Sequence, residues 1–230
     1  MAGIPKAFSG SAYSKAFYLE LLKLMYELFT KARKEGVMAI ENDVETPGES
    51  ELFSRYEKIQ KDHHIMEFIC DYMRLVVSGG ISPFELDNLM TAELDSHEKE
   101  AHEPAHALQQ VGDALPGFGI VAAVLGIVIT MGMLGDPNTD NAAIGGHVAA
   151  ALVGTFLGIL FAYGLVSPLS HAIGLRAEEE GSVFECIKAC ILAQQQGYNP
   201  QIAVEFGRKT MRSSVRPTFS ELEEYLRGDR

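Results

Sequence analysis

The chain of 230 residues sets 31 Asp and Glu against 19 Lys and Arg, a formal net charge of −12. With a sequence pI near 5.0 it has no basic surface to neutralise phosphates, which excludes nucleic-acid binding as a function class. Apolar residues make up 47% of the chain, yet the mean hydropathy is only +0.05, so the hydrophobicity is gathered into one block. Neither an ordinary soluble domain nor a uniformly apolar transporter has that distribution.

The N-terminal stretch MAGIPKAFSGSAYSK contains no apolar core of signal-peptide length, so membrane insertion is expected to rely on internal segments. A first helix reads from Ser14 as N-cap to Gly36 as stop, with Phe17, Leu21, Leu24 and Leu28 on one stripe. A short helix, VMAIENDVE, leads into the turn-rich TPGESE, and FSRYEKIQKDHHIMEFICDYMRLVVSGG then has helical spacing as far as Gly79 and Gly80. Ser82, Pro83 and Glu85 make a complete start signal, a cap, a first-turn proline and a capping box. The acidic helix beginning there is expected to end at Pro104. His97, His102 and His106 lie in this region beside Glu98 and Glu103; a metal site is conceivable, but the pattern reads better as a solvated face.

Two uncharged runs dominate the middle of the chain. Pro116 to Leu134 gives 19 residues, which as a helix reach roughly 28 Å, close to the hydrocarbon thickness of a bilayer. Ala142 to Leu175 gives 34 residues without a formal charge, enough to cross and project beyond the headgroups. The linker GDPNTDN joins them, and the pattern is a membrane hairpin that returns the chain to its starting side. All 19 Lys and Arg lie outside Pro116 to Leu175, whereas the linker carries only Asp136 and Asp140, so both flanks and both termini are expected to be cytoplasmic.

After the hairpin, Arg176 to Gln196 reads as a helix ending at Gly197. Asn199 and Pro200 start another to about Met211, and RPTFSELEEYLRGDR forms a last one. Cys70, Cys186 and Cys190 fall in the reducing flanks; Cys186 and Cys190, one turn apart without further Cys or His partners, read as helix packing rather than metal ligands. No strand pattern, dinucleotide fingerprint or phosphate loop is present. The expected architecture is an all-α membrane protein: a helical cytoplasmic segment over 1–115, a transmembrane hairpin over 116–175 and C-terminal cytoplasmic helices over 176–230.

Within the hairpin, Gly146, Ala150, Gly154, Gly158 and Ala162 recur every four residues as a ridge that admits another helix closely. Gly119, Ala122, Ala123 and Gly126 serve the same purpose on the first arm. Pro168 lacks an amide hydrogen and frees the carbonyl of Gly164, predicting a kink. Thr155 places a hydroxyl near mid-membrane, where it either bonds back to Ala151 or lines a polar pathway. Neither arm contains Asp, Glu, Lys or Arg, although ion carriers need an ionisable group in the membrane at a cost of about 2.5 to 3.5 kcal/mol or more. If an ion passes, a partner supplies the carboxylate.

The runs VGDALPGFGIVAAVLGIV, ALVGTFLGILFAYGLVSPL and GYNPQIAVEFGRKTMRSSVRPTFSELEE, with SKAFYLELLKLMYELFTKARKEG and DYMRLVVSGG, closely resemble the MotA family of flagellar motor stator subunits, in the MotA/TolQ/ExbB proton channel superfamily. The resemblance implies an inner-membrane subunit, without enzymatic activity or cofactor, that forms a homo-oligomeric ring around MotB. MotB would supply a membrane aspartate, and ion flow would turn the ring against FliG of the rotor. It implies further that Pro116 and Pro168 couple ion passage to conformational change and that Thr155 lines the ion path. Ala123 stands where sodium-driven relatives carry a second threonine. Arg33 and Glu41 are implied as rotor contacts, although without the family they read as a solvated charged turn. Members of the family begin with two further membrane helices, and Met1 falls just after the place where the second would end. The alternatives are an ExbB or TolQ-type energiser and a membrane scaffold without an ion path; the KARKEG and SPFELDNLM stretches favour the stator.

Overall fold

The computed structural model describes residues 13–134 and 140–228. Every regular element among them is helical. In chain order these are α1 (Lys15–Glu35), a 3₁₀ turn (Val37–Ile40), α2 (Glu41–Glu45), α3 (Glu51–Ser54), α4 (Glu57–Gln60), α5 (His63–Ser78) and α6 (Pro83–Met133). The chain continues through α7 (Asn141–Phe161), a π-turn (Ala162–Val166), α8 (Ser167–Gln195), α9 (Pro200–Thr210) and α10 (Phe219–Arg227). The linker residues 135–139, Asp136 among them, lie outside the described residues.

Local chemistry sets most of these boundaries. The Ser14 hydroxyl accepts from the Phe17 amide at the start of α1, and Gly36 ends that helix at φ 93°, a backbone state open to glycine. Ser82 and Glu85 make the expected capping box: the Glu85 amide donates to Ser82 Oγ at 3.2 Å and the Ser82 amide to Glu85 Oε2 at 2.9 Å. The Asn199 side chain caps Ile202 at 2.8 Å with Pro200 in the first turn, and Thr218 with Glu221 caps α10. Glu221 also accepts from Lys15 Nζ, and these bonds hold its carboxyl down at about 2.

Two boundaries differ from expectation. The stretch expected as one helix to Gly79 is three, α3, α4 and α5, because the Asp62 carboxylate accepts from the Ile65 amide at 3.3 Å and opens a new helix there. Tyr13 donates its hydroxyl to the other Asp62 oxygen at 3.2 Å and fixes that cap. Conversely, α6 does not stop at Pro104. It runs through both Pro104 and Pro116 for 51 residues. An interior proline costs about 3 kcal/mol, and packing along the helix outweighs that: Leu86, Met90 and Leu94 are buried on one side of Pro104, and Ala105, Ala123 and Thr130 on the other.

The chain forms two compact units. One consists of residues 10–99 and 178–230, and its core joins Phe17, Leu21, Leu24, Leu28 and Phe29 of α1 to Ile65, Ile69 and Met73 of α5 and to Val183, Ile187 and Ile191 of α8. Phe68 meets Phe184 edge-on with ring centroids 5.1 Å apart. The three cysteines belong to this core. Burial pushes the Cys70 thiol up to about 11, so it is not a reactive thiolate at neutral pH. The Cys186 thiol lies well above its ordinary value, through its bond with Cys190 and then burial. Cys186 and Cys190 together clasp α9 at Gly207, where a Cβ would stand 2.2 Å from Cys190 Sγ and 2.8 Å from the Cys186 carbonyl oxygen.

The other unit contains Glu100–Ala177. It is the apolar hairpin, and both helices that build it are long and apolar enough to cross a membrane. Their large side chains point outward: Phe118, Val121, Leu125, Val128, Phe156 and Tyr163 are all exposed. A soluble core helix would bury such residues, so this pattern is that of a lipid- or partner-facing surface.

Replacing Gly207 by Ala should cost about 1 to 3 kcal/mol of stability, the usual range for overpacking a filled core. Thermal unfolding should show a lowered midpoint, with part of it regained in Gly207→Ala combined with Cys190→Ala. An unshifted midpoint for the single variant would show that α9 does not rest on the two thiols.

Candidate functional site

The hairpin is held by small residues in an alternating three- and four-residue rhythm. On the first arm the inward positions are Ala105, Gly112, Gly119, Ala123 and Thr130, with Gln109, Pro116 and Gly126 half-buried between them. On the second arm they are Ala151, Gly158 and Ala162, with Ile144, Val148 and Thr155 half-buried. This is the 3.5-residue repeat of two helices wound together, with glycine and alanine in place of large knobs.

The approach is backbone to backbone. A Cβ on Gly119 would lie 2.8 Å from the Gly154 carbonyl oxygen, and one on Gly158 would lie 2.7 Å from that of Leu115. At Gly126 it would stand 2.5 Å from the Ala151 Cβ. The expected four-residue ridge is thus only partly used within the hairpin. Gly154, Gly158 and Ala162 face the first arm, whereas Gly146 and Ala150 are exposed and Gly146 meets nothing within 4 Å. A strict four-residue step advances about 40° per repeat around a helix of 3.6 residues per turn, so such a ridge winds off a 3.5-residue seam.

Thr155 does not bond back to Ala151. Its hydroxyl donates across the hairpin to the Gly119 carbonyl oxygen at 3.1 Å. Ala123 sits one turn after Gly119 on the buried seam, beside the same carbonyl. The two positions singled out in the sequence are therefore brought to one backbone oxygen. Thr130, a hydroxyl that the sequence reading passed over, is fully buried but donates to the Gly126 carbonyl of its own helix at 2.7 Å.

Pro116 is half-buried on the seam, whereas Pro168 is exposed off it. Pro116 deprives the Gly112 carbonyl of its helical donor, and a Cβ on Gly112 would lie 3.1 Å from Val166 Cγ1 and 3.6 Å from Ser167 Oγ, the residues just before Pro168. The irregularity expected at Pro168 takes the form of the π-turn, in which the Ser167 amide donates to the Ala162 carbonyl five residues back. Just beyond, Ser170 is buried, and its hydroxyl donates to the Ala105 carbonyl oxygen at 2.8 Å. Sequence reasoning missed Ser170, because only the paired register shows that it faces a carbonyl.

Arg33 and Glu41 are exposed at the end of α1 and the start of α2, on a segment with Val37 and Met38 also exposed. The turn behind them is anchored. Asp43 is buried, accepting from Lys31 Nζ at 2.7 Å and Ser50 Oγ at 2.6 Å, and Arg74 donates to the Val44 carbonyl at 2.8 Å. Among the described residues no group of three or more His, Cys, Asp or Glu side chains could hold a metal ion. His97 stands instead between Phe184, at 4.8 Å between rings, and Glu180, at 3.7 Å.

An all-helical chain with an outward-apolar hairpin of small-residue seam is a membrane-embedded packing module, and comparison with known proteins gives its kind. The family model of the MotA/TolQ/ExbB proton channel family matches residues 60–185, and that of the motility protein A N-terminal region matches residues 1–36. Motility protein A of Salmonella typhimurium is 46% identical over 230 residues, covering 100% of this chain and 77% of that protein. Motility protein A of Escherichia coli is 47% identical, covering 99% and 76%, and chemotaxis protein LafT of Vibrio parahaemolyticus is 37% identical, covering 97% and 77%. Among solved structures, the fold matches C. jejuni MotAB with a TM-score of 0.71 at 21% identity, over 92% of this chain and 73% of that one. It matches the Bacillus subtilis MotAB stator complex at 0.62 and 23%, over 81% and 64%. The chain belongs to the MotA/TolQ/ExbB proton channel family. It is a flagellar stator subunit, not an enzyme.

The seam makes different demands on two glycines of one ridge. Gly158→Ala should loosen the hairpin, read as lowered thermal stability of the purified protein in detergent, whereas Gly146→Ala should leave that midpoint unchanged. Equal effects of the two would contradict the seam described here.

Proposed function

We propose that this subunit, assembled with copies of itself around MotB, conducts protons and converts their flow into torque on FliG of the rotor. One observation carries the reading. The hairpin, residues 116–134 and 142–175, holds no Asp, Glu, Lys or Arg, yet it carries a proline in each arm and turns the Thr155 hydroxyl into its seam, onto the Gly119 carbonyl. Such a helix pair provides walls and moving parts for an ion path but no ion-binding charge, which MotB would contribute. The motility and chemotaxis proteins at 37 to 47% identity support a rotor-driving stator over an energiser of the ExbB or TolQ type.

In this reading Thr155 and Ala123 line the ion path, Pro116 and Pro168 couple it to movement, and Gly146 and Ala150 offer their small faces to a further helix. Residues 1–115 and 176–230 lie on the cytoplasmic side with both termini, and the exposed Arg33 and Glu41 meet the rotor.

The coupling ion is the proton. Sodium must exchange its water for several oxygen ligands, whereas a proton needs only a carboxylate and a chain of water or hydroxyl groups. Ala123 provides no oxygen, and Thr155 is one hydroxyl per subunit. Swimming speed in cells relying on this stator should therefore follow the proton gradient and ignore external sodium at fixed pH. A speed that rises and saturates with sodium would refute the assignment.

At the rotor surface, Arg33→Glu or Glu41→Lys should each slow swimming partially, since exposed charge contacts are individually worth about 1 kcal/mol or less. Restoration by an opposite charge reversal on FliG is the expected confirmation. Unchanged torque in the double reversal of Arg33 and Glu41 would remove them from the interface.

A further inference from the structure

Two hydroxyl-to-carbonyl bonds clamp the hairpin, and they enclose unequal lengths of chain. Thr155 donates to Gly119 and Ser170 donates to Ala105, so both clamps have the same chemistry and the same direction, from second arm to first. Between the acceptors, Ala105 and Gly119, lie fourteen residue steps; between the donors, Thr155 and Ser170, lie fifteen. Fourteen steps are four repeats of the 3.5-residue seam, two heptads, and return to the same face. One extra residue in an uninterrupted helix would turn Ser170 by about 100°, away from Ala105. The single π-turn at Ala162–Val166 lies between the two donors, and a π-turn is the insertion of one residue into a helix. Pro168 favours it there, since it has no amide to close the ordinary bond to Gly164.

Resting on the stator reading above, we propose that this π-turn is a register store that holds the one-residue surplus of the second arm, and that Ser170 is the positioning residue that keeps it in place for torque coupling. The Thr155 clamp lies in the proposed ion path, where water or a passing proton competes for the hydroxyl. When that clamp opens, the surplus residue is free to travel toward it, and the helix below turns or slides by one residue's worth. The Ser170 clamp, buried at 6% exposure, resists water and transmits the movement to the first arm instead of letting it dissipate.

The test uses the full chain assembled with MotB, with three variants: Ser170→Ala, Ser170→Thr and deletion of Gly164. Amide hydrogen exchange over residues 163–167 reads the register directly. Exchange there should rise about fivefold in Ser170→Ala, the loss of one buried hydrogen bond, and stay at the wild-type rate in Ser170→Thr. Deletion of Gly164 should remove the surplus, convert the π-turn to ordinary helix and slow exchange below wild type. Wild-type exchange in both Ser170→Ala and the deletion would overturn the register store. In the motor, Ser170→Ala should keep proton flux while torque per stator falls severalfold, with recovery in Ser170→Thr. Flux and torque falling together, or torque unchanged, would overturn the positioning role. Expected exchange throughout, in a wild-type chain that turns no rotor, would instead overturn the stator reading and leave the register standing.

Discussion

The closeness of two backbones governs this structure. At Gly119 and Gly158 the helices of the hairpin approach until a single Cβ would press within 3 Å of a carbonyl oxygen on the other side. In a bilayer there is no water to expel, so association rests on packing and on hydrogen bonds that reach across. Small residues provide the packing, and the same closeness brings the hydroxyls of Thr155 and Ser170 within reach of facing carbonyls. Large side chains at these positions would separate the arms and remove both bonds.

That closeness shapes what the hairpin does for the stator. A helix pair whose inward face is glycine and alanine leaves its outward face for lipid, neighbouring copies and the proposed MotB helix, and the exposed Phe118, Val121, Leu125 and Phe156 are suited to those roles. Proline adds a second property. Pro116 and Pro168 remove hydrogen bonds at facing levels of the two arms, beside the contact of Gly112 with Val166 and Ser167, so the region of least internal bonding is shared by both helices. The unit of residues 10–99 and 178–230 is built differently, from large interlocked side chains such as Phe17, Phe29, Phe68 and Phe184. The segment that carries Arg33 and Glu41 is pinned to it through buried Asp43 and through Arg74.

Much of this was legible in the sequence, for physical reasons that are local. Ser14, Ser82 with Glu85, and Asn199 with Pro200 each mark a helix start, because a cap satisfies amides only two or three residues away. The uncharged runs mark the hairpin by length alone. What was not legible depends on partners distant in sequence. Pro104 read as a helix end, yet α6 passes through it, since buried residues on both sides sustain the helix. Asp62 read as one polar position of a long helix, yet it caps a new one and is held by Tyr13. The bond partner of Thr155 and the whole role of Ser170 depend on the register of the two arms, and a one-residue π-turn shifts that register without leaving a mark in the apolar pattern.

The central claim is that the hairpin furnishes the path and the moving parts but not the ion-binding charge. Proton flux into liposomes, driven by an imposed potential, tests it most directly when the full chain is reconstituted alone and again together with MotB. The account predicts no flux above that of empty liposomes for the chain alone and clear flux for the pair. Flux of comparable size without MotB would contradict it.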